Sequence, residues 1–260
     1  MEFFYLNDWF GREGPFAFTL EHFAFIFLAI LVALGLSFLL RKKNKGTIKG
    51  VLIGLWVFAL LIEIFAYTVR YVNTALDPVN NPFNIETMLP LHSCSMFMFI
   101  FPFAIFPKNR VIRTAASNFL VVVNMIMGFI TMFVGCLLGG KGVFSFFGLE
   151  SLVYHAIIFI VPFVMVMTNY YDLKKWDILY GEALFLGLSL IMWLFDHFTG
   201  SDYFNIYDGH NFGILYEISE NVPHLVWTLI VMSCYIITAF IIHFSIYGIK
   251  YLIKKKKKDD

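Results

Sequence analysis

Seven apolar segments separated by short connections dominate the sequence, and each is long enough to be a membrane crossing. A helix needs about 20 predominantly apolar residues to cross the hydrocarbon of a bilayer. Because 60% of the residues are hydrophobic and the longest connection is short, we expect an all-α fold and one integral membrane domain over residues 1–260. The predicted transmembrane helices cover about 16–40, 48–72, 88–106, 114–138, 149–171, 177–198 and 222–249.

Basic residues are distributed unevenly along this series. Sixteen of the nineteen Lys and Arg residues fall on one side of the alternating segments, and only Arg12, Arg70 and Lys141 fall on the other. The positive-inside rule for short loops therefore predicts an N-terminus outside and a C-terminus in the cytoplasm. We expect the basic cytoplasmic tail, 250–260, to contact anionic lipid headgroups and not nucleic acid. A solvated tail without a partner is the alternative.

The cysteine and acidic residues match none of the common metal or disulfide signatures. Cys94, Cys136 and Cys234 all lie in apolar segments, and the sequence contains neither a CxxC pair nor an HExxH motif. The acidic residues of the outer connection, 199–221, follow no EF-hand or zinc spacing. We therefore expect no metal and no cofactor, and we expect this connection to be a solvated acidic loop.

Ionisable side chains inside the predicted helices are the best guide to function, because burying charge in hydrocarbon is costly. Counted at about 1.5 Å per residue from the outer ends, Cys94 and His155 both lie about 9 Å deep and His92 about 6 Å deep. A thiol beside an imidazole permits nucleophilic acyl transfer through a thioester. His92 is two residues from Cys94, about 200° around a helix, so it serves the thiol only if the helix is unwound there. His155 is the predicted base.

Three polar residues of the second predicted helix share one face. Glu63, Tyr67 and Arg70 follow one another at spacings of four and three residues. They are candidates for substrate binding, although a buried charge network that fixes the packing is an alternative role. His92, Asn124 and Tyr67 are candidate donors to an oxyanion.

Two prolines lie in the middle of predicted helices, eight residues beyond Cys94 and seven beyond His155. Pro102 and Pro162 each remove a backbone hydrogen bond and bend the helix that contains them. Two bent neighbours can open a cavity beneath the thiol.

The run Met88-Leu89-Pro90-Leu91-His92-Ser93-Cys94 resembles the LPLHxC signature of the bacterial YwaF-like integral membrane proteins, which are similar to the transmembrane protein 164 family of animals. The resemblance covers about 16–250 and includes the order of the helices, the Gly128 region and the position of His155. It implies a lipid acyltransferase in which Cys94 is the nucleophile and His155 its partner.

Three functions are compatible with these observations. The first is a membrane-embedded lipid acyltransferase or lipid hydrolase that uses Cys94, His155 and His92 and contacts membrane lipid through Glu63, Tyr67, Arg70 and Asn124. The second is a transporter with a polar outer vestibule. The third is a non-catalytic sensor or assembly factor, in which the many aromatic residues serve packing and interfacial anchoring. All three predict a multi-pass protein of the cell membrane, which the resemblance suggests is a bacterial plasma membrane.

Overall fold

The computed structural model describes residues 19–79, 82–134, 146–207 and 218–259. These residues form helices joined by turns, with no strand among them, which confirms the predicted all-α class. A π-helical segment, Leu120–Asn124, joins the fifth helix directly to the sixth. The helices are α1 (Leu20–Leu40), α2 (Lys45–Leu76), α3 (Ile85–Met88), α4 (Met96–Ile105), α5 (Arg110–Phe119), α6 (Met125–Val134), α7 (Phe146–Met167), α8 (Asp177–Thr199) and α9 (His224–Asp259).

Six helical segments of the described chain are long and apolar enough to cross a membrane. They agree with the first, second, fourth, fifth, sixth and seventh predicted helices, although residues 16–18 and 135–138 at the ends of two predictions lie outside the described ranges. The segments are Leu20–Leu40, Lys45–Leu76, Arg110–Phe133, Phe146–Met167, Asp177–Thr199 and His224–Lys256.

The third predicted helix, 88–106, is not continuous. α3 ends at Met88 and regular helix resumes only at Met96, so residues 89–95 form a non-helical turn. Pro90 explains the break, because a proline disfavours helical geometry in the residue before it. α4 is a shorter apolar helix of 10 residues, about 15 Å long, or half the thickness of the hydrocarbon.

Short polar residues and one glycine set several helix ends. The Asn44 side chain accepts a hydrogen bond from the Thr47 N–H at 2.9 Å, which caps α2. Asn109 caps α5 in the same way. Gly200 ends α8 with φ 68°, a left-handed conformation that costs a glycine little.

The described residues form two compact units. The first unit comprises those within Met1–Met98 and Met125–Tyr170, and the second those within Phe99–Asn124 and Tyr171–Asp260. In the first unit, α7 packs against α1, α2 and α6. In the second unit, α5 packs against α8, and α9 packs against the π-helical segment and α8.

Within the first unit, α6 and α7 approach closely at Gly128. A β-carbon at this position would lie 2.8 Å from the His155 carbonyl oxygen and 2.9 Å from the Phe159 nitrogen. Because both atoms belong to the α7 backbone, neither can move aside without shifting the helix. Glycine at 128 therefore allows the close packing that positions His155.

Within the second unit, the segment after α8 is folded around buried acids. The Asp196 carboxylate accepts a hydrogen bond from the Ser201 hydroxyl at 2.7 Å, and Asp202 accepts one from the Tyr207 N–H at 2.9 Å. Both acids are fully buried, so the expectation of a solvated acidic loop is wrong for Asp202. The expectation rests on the spacing of the acids, which does not show local backbone partners. Asp208, His210 and Glu217 lie outside the described residues.

α9 runs without a break through the basic segment that we predicted as a tail. The helix continues to Asp259, so residues 250–259 extend α9 and do not form a separate irregular segment. Lysine is a good helix former, and nothing in this segment interrupts the helix begun by the apolar residues before it.

Candidate functional site

The non-helical turn places Cys94 at the start of α4. The Met96 N–H donates to the His92 carbonyl and the Phe97 N–H donates to the Cys94 carbonyl, both at 3.1 Å. The half-buried thiol lies within hydrogen-bonding reach of the Ser95 backbone N–H and hydroxyl.

Tyrosines from neighbouring helices hydrogen-bond to the broken backbone. The Tyr71 hydroxyl of α2 donates to the Met88 carbonyl at 2.8 Å, and the Tyr154 hydroxyl of α7 donates to the Cys94 carbonyl at 3.3 Å. Non-helical backbone at membrane depth is tolerated only where its polar groups find partners in the protein. These two hydrogen bonds therefore hold the turn between α2 and α7.

The imidazole of His155 is oriented by the backbone of its own helix. Its Nδ1 lies 2.6 Å from the Ser151 carbonyl oxygen, so Nδ1 carries the hydrogen and Nε2 is left as an acceptor. His155 is only 8% exposed, and Nε2 has no hydrogen-bond partner among the described residues. A neutral imidazole with a fixed Nδ1–H and an available Nε2 has the form of a general base.

His92 brings a second imidazole to the same region. It lies on the turn that carries Cys94 and is close enough to His155 for their charges to interact. Because residues 89–95 are not helical, the angular separation of about 200° that set His92 apart from Cys94 on a regular helix does not apply. His92 therefore lies both on the Cys94 turn and near His155.

Two buried acids and one arginine form a charge network beside this turn. The Arg70 guanidinium lies 3.4 Å from the Glu150 carboxylate, and the Glu63 and Glu150 carboxyl groups are within hydrogen-bonding reach of each other. Glu63 is 5% exposed and Glu150 is 7% exposed. Two carboxyl groups can share a hydrogen bond only if one of them is protonated. With one proton and one arginine, the network is electrically neutral.

Tyr67 connects the charge network to the cysteine turn. The Arg70 guanidinium lies 4.8 Å from the centre of the Tyr67 ring, and the Tyr67 hydroxyl is within hydrogen-bonding reach of the Ser95 side chain. The charges of Glu63 and Cys94 also interact. A continuous series of polar groups therefore runs from the thiol to the arginine.

The predicted site residues are divided between the two units. Asn124 belongs to the second unit, where it lies buried at the end of the π-helical segment. The other six belong to the first unit and are Glu63, Tyr67, Arg70, His92, Cys94 and His155.

Several residues that complete the site were not among the predicted ones. Glu150 could have been found, because an acid inside a predicted transmembrane helix is itself the expected signal. The roles of Tyr154, Ser95 and Ser151 depend on contacts between or within helices that leave no pattern in the sequence. Tyrosine and serine are too common in apolar helices to indicate a site alone.

Comparison with known protein families gives a match over most of the chain. The TMEM164 family model matches residues 17–247, a range that includes the cysteine turn, the charge network and both histidines. No curated protein and no solved structure matches the chain.

Proposed function

The chain belongs to the TMEM164 family, and on this basis we propose that it is a membrane-embedded lipid acyltransferase or lipid hydrolase with Cys94 as its nucleophile. His155 is the general base, and His92 and Tyr67 donate hydrogen bonds to the developing oxyanion. Glu63, Tyr67 and Arg70 contact the lipid. The reaction needs no cofactor.

The proposed reaction has two steps. The Cys94 sulfur attacks an ester carbonyl of the lipid, forming a carbon–sulfur bond, while its proton passes to His155 Nε2. The ester carbon–oxygen bond then breaks, and the proton leaves with the lipid hydroxyl. In the second step His155 takes the proton of an acceptor hydroxyl or of water, which attacks the thioester and releases the thiol. An acceptor lipid gives acyl transfer, and water gives hydrolysis.

The observation that carries the proposal is the interruption of the third predicted helix at Cys94. A structural cysteine needs no break in a membrane helix, and a break requires partners such as Tyr71 and Tyr154 for its carbonyl groups. The turn takes the thiol out of regular helix and places it at the start of α4. His155 is held in the same unit with its Nε2 available.

We further propose how the protein sits in the membrane. The broken segment containing α3 and α4 completes seven crossings, with the N-terminus outside and the C-terminus in the cytoplasm of a bacterial cell. The lipid then enters from the outer leaflet, because the predicted depth of the thiol lies in the outer half. The lysines near the C-terminus contact anionic headgroups on the inner side.

Lipid analysis of proteoliposomes tests the reaction. The purified protein is supplied with phospholipid and a labelled lysophospholipid, and diacyl product and free fatty acid are measured by mass spectrometry. We expect turnover by the wild type, none by Cys94→Ala and a loss of at least about 100-fold in His155→Gln. Cys234→Ala, which removes an exposed cysteine of α9, is the matched control and should keep full turnover. Unchanged activity in folded Cys94→Ala would exclude the proposal.

One observation favours transport as a second candidate function. Transporters bind solutes at discontinuous membrane helices, and here such a helix lies beside the buried network of Arg70 and Glu150. Solute flux in proteoliposomes that persists in Cys94→Ala but is lost in Arg70→Gln would support this function over catalysis.

A further inference from the structure

The serine that follows Cys94 is not needed as a cap for α4. A serine just before a helix usually accepts a hydrogen bond from the second or third N–H group of that helix. In α4 these two groups are bonded to backbone carbonyls. The Phe97 N–H donates to the Cys94 carbonyl and the Met98 N–H donates to the Ser95 carbonyl, both at 3.1 Å. The Ser95 hydroxyl is therefore available to other partners.

Two polar side chains lie beside this hydroxyl. The Cys94 thiol is within hydrogen-bonding reach of it, and so is the Tyr67 hydroxyl of α2. Ser95 is only 4% exposed, so bulk water does not compete for these hydrogen bonds. A serine hydroxyl donates one hydrogen and accepts at two lone pairs. It can therefore serve a sulfur and a phenol at the same time.

The proposed reaction sets the direction of these hydrogen bonds. The thiol proton passes to His155, so the Cys94 sulfur is an acceptor toward its other neighbours. The Ser95 hydroxyl is then the donor to the sulfur, and its oxygen accepts from Tyr67. The Ser95 backbone N–H lies within reach of the same sulfur. A single residue thus presents two donors to the reacting atom.

We propose that Ser95 orients the Cys94 sulfur and stabilises the negative charge that develops on it, while Tyr67 acts through Ser95 by fixing the direction of its hydroxyl. This inference rests on the proposed acyl transfer. A thiol at membrane depth rests neutral, because burying a charge is costly. Hydrogen bonds to the sulfur become stronger as its proton leaves. An interaction that is stronger in the transition state than at rest raises the rate.

The single hydroxyl hydrogen of Tyr67 has two uses, one after the other. Before the attack it holds the Ser95 hydroxyl toward the sulfur. Once the carbon–sulfur bond has formed, the negative charge lies on the former ester oxygen, and the phenol can turn its hydrogen to this oxyanion. The role of Tyr67 at the oxyanion therefore follows its role at Ser95 and does not compete with it.

Alkylation of the thiol tests this role of Ser95 without requiring lipid turnover. Cys136→Ala and Cys234→Ala together leave Cys94 as the single cysteine of the full-length chain. In this parent protein, reaction with iodoacetamide in proteoliposomes is followed by mass spectrometry at constant pH. Because the thiolate is the nucleophile, we expect Ser95→Ala to slow alkylation about tenfold. Ser95→Thr keeps the hydroxyl and should react at nearly the rate of the parent protein.

A double substitution separates the proposed role from general damage to the fold. Tyr67→Phe should slow alkylation about threefold when Ser95 is present and should have no further effect in Ser95→Ala, because the phenol acts through the serine. Ser189→Ala is the matched control. It removes a similarly buried serine hydroxyl from α8 and should leave the alkylation rate unchanged.

An unchanged alkylation rate in folded Ser95→Ala would overturn the proposal, and so would equal effects of Tyr67→Phe with and without Ser95. If Ser95→Ala does not fold, Tyr67→Phe in the parent protein decides, because a rate equal to that of the parent would overturn the proposal. Failure of the proposed function is a separate result. Slower alkylation in Ser95→Ala, together with no lipid turnover by the wild type, would support the contact of Ser95 with the sulfur and exclude the acyl transfer.

Discussion

Trp56 donates its indole N–H to the carbonyl oxygen of Met98 across 3.0 Å. Met98 lies four residues before Pro102, which has no N–H to donate, so α4 cannot supply this carbonyl with its usual helical partner. α2 therefore provides the hydrogen bond that the proline removes from α4. A bent membrane helix is stable here because its unpaired carbonyl has a donor on a neighbouring helix.

Replacing Trp56 by phenylalanine should destabilise the protein. The change keeps most of the aromatic surface but leaves the Met98 carbonyl without its donor, and we expect a loss of about 1–2 kcal/mol in the free energy of unfolding. Equilibrium unfolding in detergent, followed by far-ultraviolet circular dichroism, measures it.

Pro102→Ala provides the control for this prediction. Alanine restores an N–H four residues after Met98, so Trp56→Phe should cost less in the Pro102→Ala background than in the wild type. Equal losses in both backgrounds would show that the indole does not compensate for the proline.

Gly128→Ala should be destabilising, by about 1–3 kcal/mol. The added methyl group would meet the backbone of α7 at His155 and Phe159, and separating the helices would move the imidazole. Gly54→Ala is the matched control, because a β-carbon there meets no heavy atom within 4 Å and alanine is the better helix former. In thermal unfolding, the unfolding temperature should be lower than that of the wild type for Gly128→Ala and higher for Gly54→Ala. If they coincide, the close packing at Gly128 is not required.

Arg70→Gln should lower stability by about 1–3 kcal/mol at neutral pH, because it removes the positive charge that balances the buried carboxylate of Glu150. The deficit relative to the wild type should shrink as the pH falls, since the folded variant then takes up the proton that neutralises the remaining carboxylate. The free energy of unfolding of both proteins, measured from pH 8 to about pH 5, tests whether the deficit shrinks as the pH falls. Arg70→Gln combined with Glu150→Gln should recover part of the loss, and a deficit independent of pH would argue against the shared network.

Tyr154→Phe should reduce lipid turnover about fivefold, mainly through kcat. The phenylalanine ring fills the same space but no longer donates to the Cys94 carbonyl, and a loss of about 1 kcal/mol in positioning the thiol corresponds to this factor. Tyr180→Phe, on an exposed position of α8, should leave kcat unchanged. A normal kcat in Tyr154→Phe would mean that the other contacts of the turn suffice.

Much of the fold was predictable because hydrocarbon imposes a length and a composition on any helix that crosses it. α8, for example, was predicted at 177–198 and extends over Asp177–Thr199. The interruption at residues 89–95 was not predictable, because the sequence of this segment fits both a regular helix and a break. Pro90 is compatible with the first turn of a helix as well as with a break. The choice depends on donors from Tyr71 and Tyr154, which lie far away in the sequence.

The candidate site was predictable where its residues lie on one helix. Glu63, Tyr67 and Arg70 share a face of α2 by spacing alone. The ion pair of Arg70 with Glu150 joins α2 to α7, and the helical repeat carries no information about which helices become neighbours. The tautomer of His155 could not be inferred before its backbone partner was known.

The unbroken course of α9 limits what its lysines can do at a lipid surface. At 36 residues the helix is about 54 Å long, well beyond the thickness of about 30 Å that it must cross. Lysines occupy the five consecutive positions 254–258. Because each helical position is rotated by about 100° from the one before, these five positions encircle the helix axis and do not share a face. A flexible segment could bring every lysine to the lipid headgroups, whereas a continuous helix brings only two or three of them there at the same time. The attraction to anionic lipid that we propose is then about 2–3 kcal/mol, weak enough to respond to the local lipid composition.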